Sequence, residues 1–67
     1  MITLTINGEA RSFEQALTCK QLLEKLELAG KRVAIERNGE IVPRSRHDVE
    51  TVNDGDKLEI VVAVGGG

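Results

Sequence analysis

Ile2, Leu4 and Ile6 alternate with Thr3 and Thr5, the period-two pattern of a strand that buries one face. Asn7-Gly8 follows, a dipeptide that accepts the positive φ angles of a tight hairpin turn. Glu9 to Phe13 is therefore expected to return as a second strand, although Ala10, Ser12 and Phe13 form too weak a pattern to fix its register. Thr18-Cys19-Lys20-Gln21 then reads as a capping box, with Leu17 and Leu22 placed to close as a hydrophobic staple around a helix start. Cys19, Leu22, Leu23 and Leu26 recur at the three-and-four spacing of one apolar stripe, opposite Lys20, Glu24, Lys25 and Glu27. The pattern predicts a helix over about 19 to 28, ended by Gly30 in a left-handed conformation.

Val33 and Ile35 open a third strand, Asn38-Gly39 is a second hairpin signal, and Ile41-Val42 gives a short fourth strand stopped by Pro43. Arg37 lies in phase with Val33 and Ile35. The expected resolution is that the strand leaves the core there, the arginine stem covering apolar surface while its head stays in water. Arg44 to Thr51 lacks a sustained period and predicts an irregular connection with one short helical turn, and Asn53-Asp54-Gly55-Asp56 is turn chemistry. Lys57 to Val64 is the longest β-rich run, with Leu58, Ile60 and Val62 on one face and Glu59, Val61 and Ala63 on the other, as in a central strand. This order predicts an α+β domain spanning 1–64: a mixed sheet of four to five strands wrapped over one main helix. Parallel pairing of the first and last strands would make it a β-grasp (ubiquitin-like) arrangement, with the chain's end leaving along the centre of the sheet.

A chain of 67 residues, 40% apolar and 30% charged, buries only about 60% of its unfolded surface and has no room for an enclosed enzyme pocket. Its single cysteine excludes an internal disulfide and a cysteine-based metal cluster, which fits a reducing cytosol, and no metal site or bound cofactor is expected. With no apolar run near the roughly 20 residues of a membrane span and no export signal after Met1, a cytoplasmic protein without membrane contact is expected. Eight basic and six acidic residues fall in 1–47, against one basic and five acidic in 48–67. The acidic set Asp48, Glu50, Asp54, Asp56 and Glu59 would repel phosphates, and Phe13 is the single aromatic ring on which a base could stack, so nucleic acid is not an expected partner. Arg32, Arg37, Arg44 and Arg46 read as scattered solubilising charge, His47 as a surface or half-packed loop residue, and Cys19 as a small, inert member of the leucine stripe. The free chain is expected to be a monomer.

Four of the seven glycines fall at predicted turns or the helix end; Gly65, Gly66 and Gly67 are consecutive and terminal, where no turn requires them. Residues without Cβ can pass through a channel too narrow for side chains, and Val64 to Gly67 would extend about 13 Å at roughly 3.3 Å per residue. The segment 65–67 is accordingly expected to be a flexible tail threaded into partner active sites. The whole chain resembles the ThiS sulfur carrier family, through the Asn7-Gly8 turn, the stretch Asn38-Gly39-Glu40-Ile41-Val42-Pro43-Arg44, the Asp54-Gly55-Asp56 turn with Leu58-Glu59-Ile60-Val61, and the glycine end. The resemblance implies a carrier in thiamin (thiazole) biosynthesis and not an enzyme. An E1-like adenylyltransferase, ThiF, would use Mg-ATP to adenylate the Gly67 carboxylate. A persulfide donor such as a cysteine desulfurase would convert it to a thiocarboxylate, and the sulfur would pass to thiazole synthase, ThiG. It also implies that Val61, Ala63 and Val64, beside the tail, dock on the partner. Two alternatives stay open: a sulfur carrier for molybdopterin synthesis or tRNA thiolation, and a β-grasp binding module whose terminus does no chemistry.

Overall fold

The computed structural model describes residues 1–63. Strands β1 (Ile2–Ile6) and β2 (Glu9–Phe13) form the first hairpin, and a two-residue strand β3 (Leu17–Thr18) leads into helix α1 (Cys19–Lys25). Strands β4 (Val33–Arg37) and β5 (Glu40–Val42) form the second hairpin. A 3-10 turn (Arg44–Arg46), β6 (Thr51–Val52) and β7 (Lys57–Val62) complete the chain. The main sheet runs β2-β1-β7-β4-β5, with β1 and β7 parallel at its centre and its other pairings antiparallel. This is the mixed β-grasp sheet that the hydrophobic pattern predicts, with β7 central.

Both hairpins turn on Asn-Gly pairs in which both residues have positive φ: 51° and 85° at Asn7-Gly8, and 51° and 86° at Asn38-Gly39. That is the type I′ geometry whose twist matches the strands it joins. The register of β2, open in the sequence, pairs Ile2 with Phe13 and Ile6 with Glu9. The core lies between one sheet face and the helix. Ile2, Leu4 and Ile6 from β1, Ile35 and Val42 from the second hairpin, and Leu58 and Ile60 from β7 pack with Cys19, Leu22 and Leu23 of α1 and with Leu17 and Val52.

Helix α1 starts as expected and ends earlier. Thr18 Oγ1 accepts from the Gln21 N–H (3.1 Å) and Gln21 Oε1 accepts from the Thr18 N–H (3.0 Å), completing the capping box. The next free N–H groups of the first turn donate to loop carbonyls, Cys19 to Glu50 (2.8 Å) and Lys20 to His47 (2.7 Å). At the other end the left-handed residue is Glu27, at φ 61°, and not Gly30. The Leu28 N–H reaches back to the Leu23 carbonyl (2.8 Å) and the Glu27 N–H to that of Glu24 (3.1 Å), the paired bonds of a Schellman motif. Leu28 then packs against the core, and that burial holds a non-glycine residue in a conformation costing roughly 1 kcal/mol. Gly30, at φ 83°, belongs to the following turn.

A second sheet of two short strands, β3 and β6, pairs Leu17 with Val52 and Thr18 with Thr51. Two residues are too few for a period, so this pairing leaves no sequence signature; it seats the helix start against the loop 44–52.

Candidate functional site

Strand β7 carries the chain toward the glycine tail, and its bonds decide how that end is presented. On its β4 side, the Asn38 N–H donates to the Lys57 carbonyl (2.7 Å) and Asn38 Oδ1 accepts from the Lys57 N–H (2.9 Å). On its β1 side, the Asn7 N–H donates to Leu58 O (3.0 Å), Asn7 Nδ2 donates to Ile60 O (3.0 Å), and Asn7 Oδ1 accepts from the Ile60 N–H (2.8 Å). Each hairpin asparagine therefore does two jobs: it adopts the left-handed turn, and its amide continues the ladder onto β7 where a neighbouring backbone has turned away. Sequence reasoning finds the first job and misses the second, because the Asn-Gly signal is local and the bond spans 53 residues from Asn7 to Ile60.

The start of β7 is fixed by charge. Arg37 does not project its head into water as expected: its Nε donates to Asp56 Oδ2 at 2.8 Å and its Nη1 to Glu50 Oε2 at 3.0 Å. Asp56 also accepts from the Asn53 N–H (2.8 Å) and from Asn38 Nδ2 (3.1 Å). Burial pushes the Asp56 carboxyl upward, but the Asn53 N–H, the Asn38 amide and the Arg37 guanidinium together outweigh it and hold its pKa below the usual carboxylate range. The hydrogen bond to Asp56 raises the Arg37 pKa in turn. Glu50 binds Arg46 as well, at 3.0 Å. The acidic set of the C-terminal third is thus not a free patch: Asp56 and Glu50 are paired with arginines, and Asp54 accepts from the Thr3 N–H at 2.7 Å. Arg37, read as solubilising charge, is a structural cation, while Arg46 stays largely in solvent and pairs with Glu50 from the surface.

At its far end β7 is bare. Val61 is 62% exposed and Ala63 is exposed, both on the sheet face away from the helix, where the register sets Val61 beside Ala34 and Glu59 beside Glu36. Ile41, opposite Glu36, adds an apolar side chain at 64% exposure. Val62 is in phase with Leu58 and Ile60 but is 40% exposed, because the strand outruns the helix that covers them. Val64, Gly65, Gly66 and Gly67 lie outside the described residues.

Two other candidates resolve differently. Cys19 is 0% exposed within the leucine stripe, and burial, then the Glu50 charge, push its thiol pKa upward, away from the reactive thiolate. His47 is buried and not half-packed at the surface. Its Nε2 donates to the Val42 carbonyl (3.2 Å) while its own carbonyl caps α1, so it clamps the loop to both the second hairpin and the helix. Among the described residues no group of three or more His, Cys, Asp or Glu side chains converges to hold a metal ion, and no helix is long and apolar enough to cross a membrane.

Comparison with known proteins fits this geometry. The ThiS family model matches residues 4–67. A sulfur carrier protein ThiS from Bacillus subtilis is 37% identical over 65 residues, covering 96% of this chain and 98% of that one. A thiazole synthase from Paramagnetospirillum magneticum is 53% identical over 64 residues, 96% of this chain but 20% of the synthase, so the chain spans about a fifth of that relative. The crystal structure of the thiamine biosynthesis protein ThiS from Geobacter metallireducens superposes with a TM-score of 0.84 at 36% identity, covering 98% of this chain and 100% of that one. The match runs through both Asn-Gly hairpins, the central strand and the glycine end alike, and the chain belongs to the ThiS family of sulfur carrier proteins of thiamine biosynthesis.

Proposed function

We propose that the Gly67 carboxylate is the group that carries sulfur. A carboxylate is ionised at neutral pH and is a very poor acyl donor, so it needs a phosphoryl leaving group supplied from outside. An E1-like adenylyltransferase of the ThiF kind, with Mg-ATP, supplies it: a carboxylate oxygen attacks the α-phosphorus, pyrophosphate leaves, and an acyl-adenylate forms. The terminal sulfur of a persulfide donor then displaces AMP to give an acyl disulfide, and a thiol attacks its S–S bond, leaving the thiocarboxylate on the terminal carbon and carrying the donor's sulfur away as a disulfide. A thiazole synthase of the ThiG kind receives the sulfur. The kinship to one domain's length of a thiazole synthase supports that last partner, since joining donor and acceptor in one chain raises their effective concentration. Gly65 and Gly66 give the terminus a narrow stalk, and Val61, Ala63 and Val64 form the docking surface at its root.

The observation that carries this reading is the family match running to the terminal glycine. The test is the intact mass after incubation with Mg-ATP, the cognate adenylyltransferase, a persulfide source and a thiol reductant, with fragmentation to locate the change. Exchange of one oxygen for sulfur confined to Gly67 is expected, and deletion of Gly67 abolishes it. An unchanged mass with active enzymes and an intact terminus rejects the carrier chemistry at this residue.

A further inference from the structure

The two sides of β7 are not equally occupied. Its residues alternate in the direction of their backbone groups: the Ala63 N–H donates to the Arg32 carbonyl on the β4 side (2.8 Å), whereas the Ile60 N–H and carbonyl point to the β1 side, where the Asn7 amide takes both. Val62, two residues on from Ile60, presents its N–H and carbonyl on that same β1 side. Among the described residues no strand lies there. The β1–β7 ladder pairs Ile6 with Leu58, β1 turns away at Asn7-Gly8, and among the described residues nothing bonds Val62's main chain.

This unpaired edge borders a groove of about 250 Å³. Ile6, Leu26, Leu28, Ile60 and Val62 line it on the apolar side, and Asn7, Glu9 and Arg11 make up the rest. A free N–H and carbonyl beside a groove with one apolar wall suit an extended peptide, whose backbone pairs with the edge while one side chain packs on that wall. The four residues beyond Ala63 reach only about 13 Å when extended. Any enzyme that handles the Gly67 carboxylate must therefore bring its own chain close to Val62.

Resting on the carrier reading above, we infer that the adenylyltransferase lays an extended segment along the β1-side edge of β7, bonding the Val62 main chain and inserting an apolar side chain between Leu26, Leu28 and Val62. The segment occupies the lane that β1 vacates at Asn7, and it aligns the root of the tail before the terminus enters the active site.

The test is amide hydrogen exchange of the full-length protein, alone and with excess cognate adenylyltransferase in the absence of ATP. The Val62 amide exchanges freely in the free chain and slows at least tenfold in the complex, whereas the Ala63 amide, already bonded to Arg32, changes little. Val62→Pro deletes the outward N–H without touching the β4 ladder and weakens binding at least tenfold; Val62→Thr keeps the N–H and the branched shape and binds within about threefold of the parent. A complex that forms with an unprotected Val62 amide overturns the inference, as does undiminished binding by Val62→Pro or the absence of any complex. The sulfur exchange at Gly67 is read on the same preparations. Exchange with an unprotected Val62 leaves the carrier reading intact and removes this one. Protection without exchange supports the docking edge and removes the carrier chemistry.

Discussion

At Lys57 the central strand is gripped by side chains from two segments; five residues later, at Val62, it is paired on one side and bare on the other. The first end collects the Asn38 amide, the Asp56 carboxylate and, through it, the Arg37 guanidinium, all within 3.1 Å of their partners. The second end keeps the β4 ladder and, on its other flank, a last amide from Asn7 at Ile60. A domain of this size has a total stability of only about 3–10 kcal/mol, so where its polar bonds concentrate matters. They concentrate away from the tail, which leaves the exit end of β7 accessible while its root stays fixed in register.

The comparison breaks most severely at the gripped end. Leu58→Ala, at a fully buried site, is expected to cost about 3–4 kcal/mol, against less than about 1 kcal/mol for Val62→Ala at the exposed end. Urea titrations of the two variants check the contrast, and equal losses would show that the ends are alike.

Removing the charge that organises the root comes next. Arg37→Ala forfeits two charge-assisted bonds to partly buried carboxylates and is expected to cost about 2 kcal/mol. It also changes the acid response. The Asp56 pKa is depressed in the folded chain, so as pH falls below the ordinary aspartate value of about 4 the unfolded chain takes up the proton first. The stability Asp56 contributes is present above that value and is lost as pH drops toward the folded pKa. Arg37→Ala flattens this acid slope, which denaturant midpoints across the acid range will reveal.

The two hairpin asparagines sharpen the contrast. Glycine retains either left-handed turn while deleting the amide, so Asn38→Gly is expected to lose about 1.5 kcal/mol and Asn7→Gly about 1 kcal/mol. The Asn7 variant in addition speeds amide exchange at Ile60 specifically, because that N–H bonds to the deleted group. Uniform acceleration over all of β7 would instead make Asn7 a general support. The smallest expected effect is a gain: Glu27→Gly relieves the left-handed residue at the end of α1 and should raise stability by about 0.5–1 kcal/mol, with no change at either end of β7.

What the sequence made legible was whatever repeats or sits within a few residues. The alternation in Ile2–Ile6, the two Asn-Gly turns, the Thr18–Gln21 capping box and the apolar phase of Leu58 and Ile60 were sufficient to predict the hairpins, the helix start and the central strand. Features that depend on a distant partner were not legible. Arg37 breaks its strand's phase because Asp56 and Glu50 await it from another segment. Glu27 ends the helix ahead of Gly30 because Leu28 has a core to pack against, a tertiary gain that overrides glycine's local preference. His47 is buried because Val42 O and the start of α1 both face it. For the site, alternation grouped Val61 with Ala63 on one face of β7 without saying which face is exposed, and both that exposure and the free edge at Val62 required knowing where the helix and β1 lie.

Cys19 has one more consequence. Its thiol is sealed on the buried side of the helix and held in the protonated state, so the folded domain offers soft electrophiles no competing thiol of its own. A terminal thioacid would then be the sole thiol-like sulfur in view, and a thiol-selective alkylating probe applied to the native protein would count loaded molecules directly, without the background that an exposed cysteine brings.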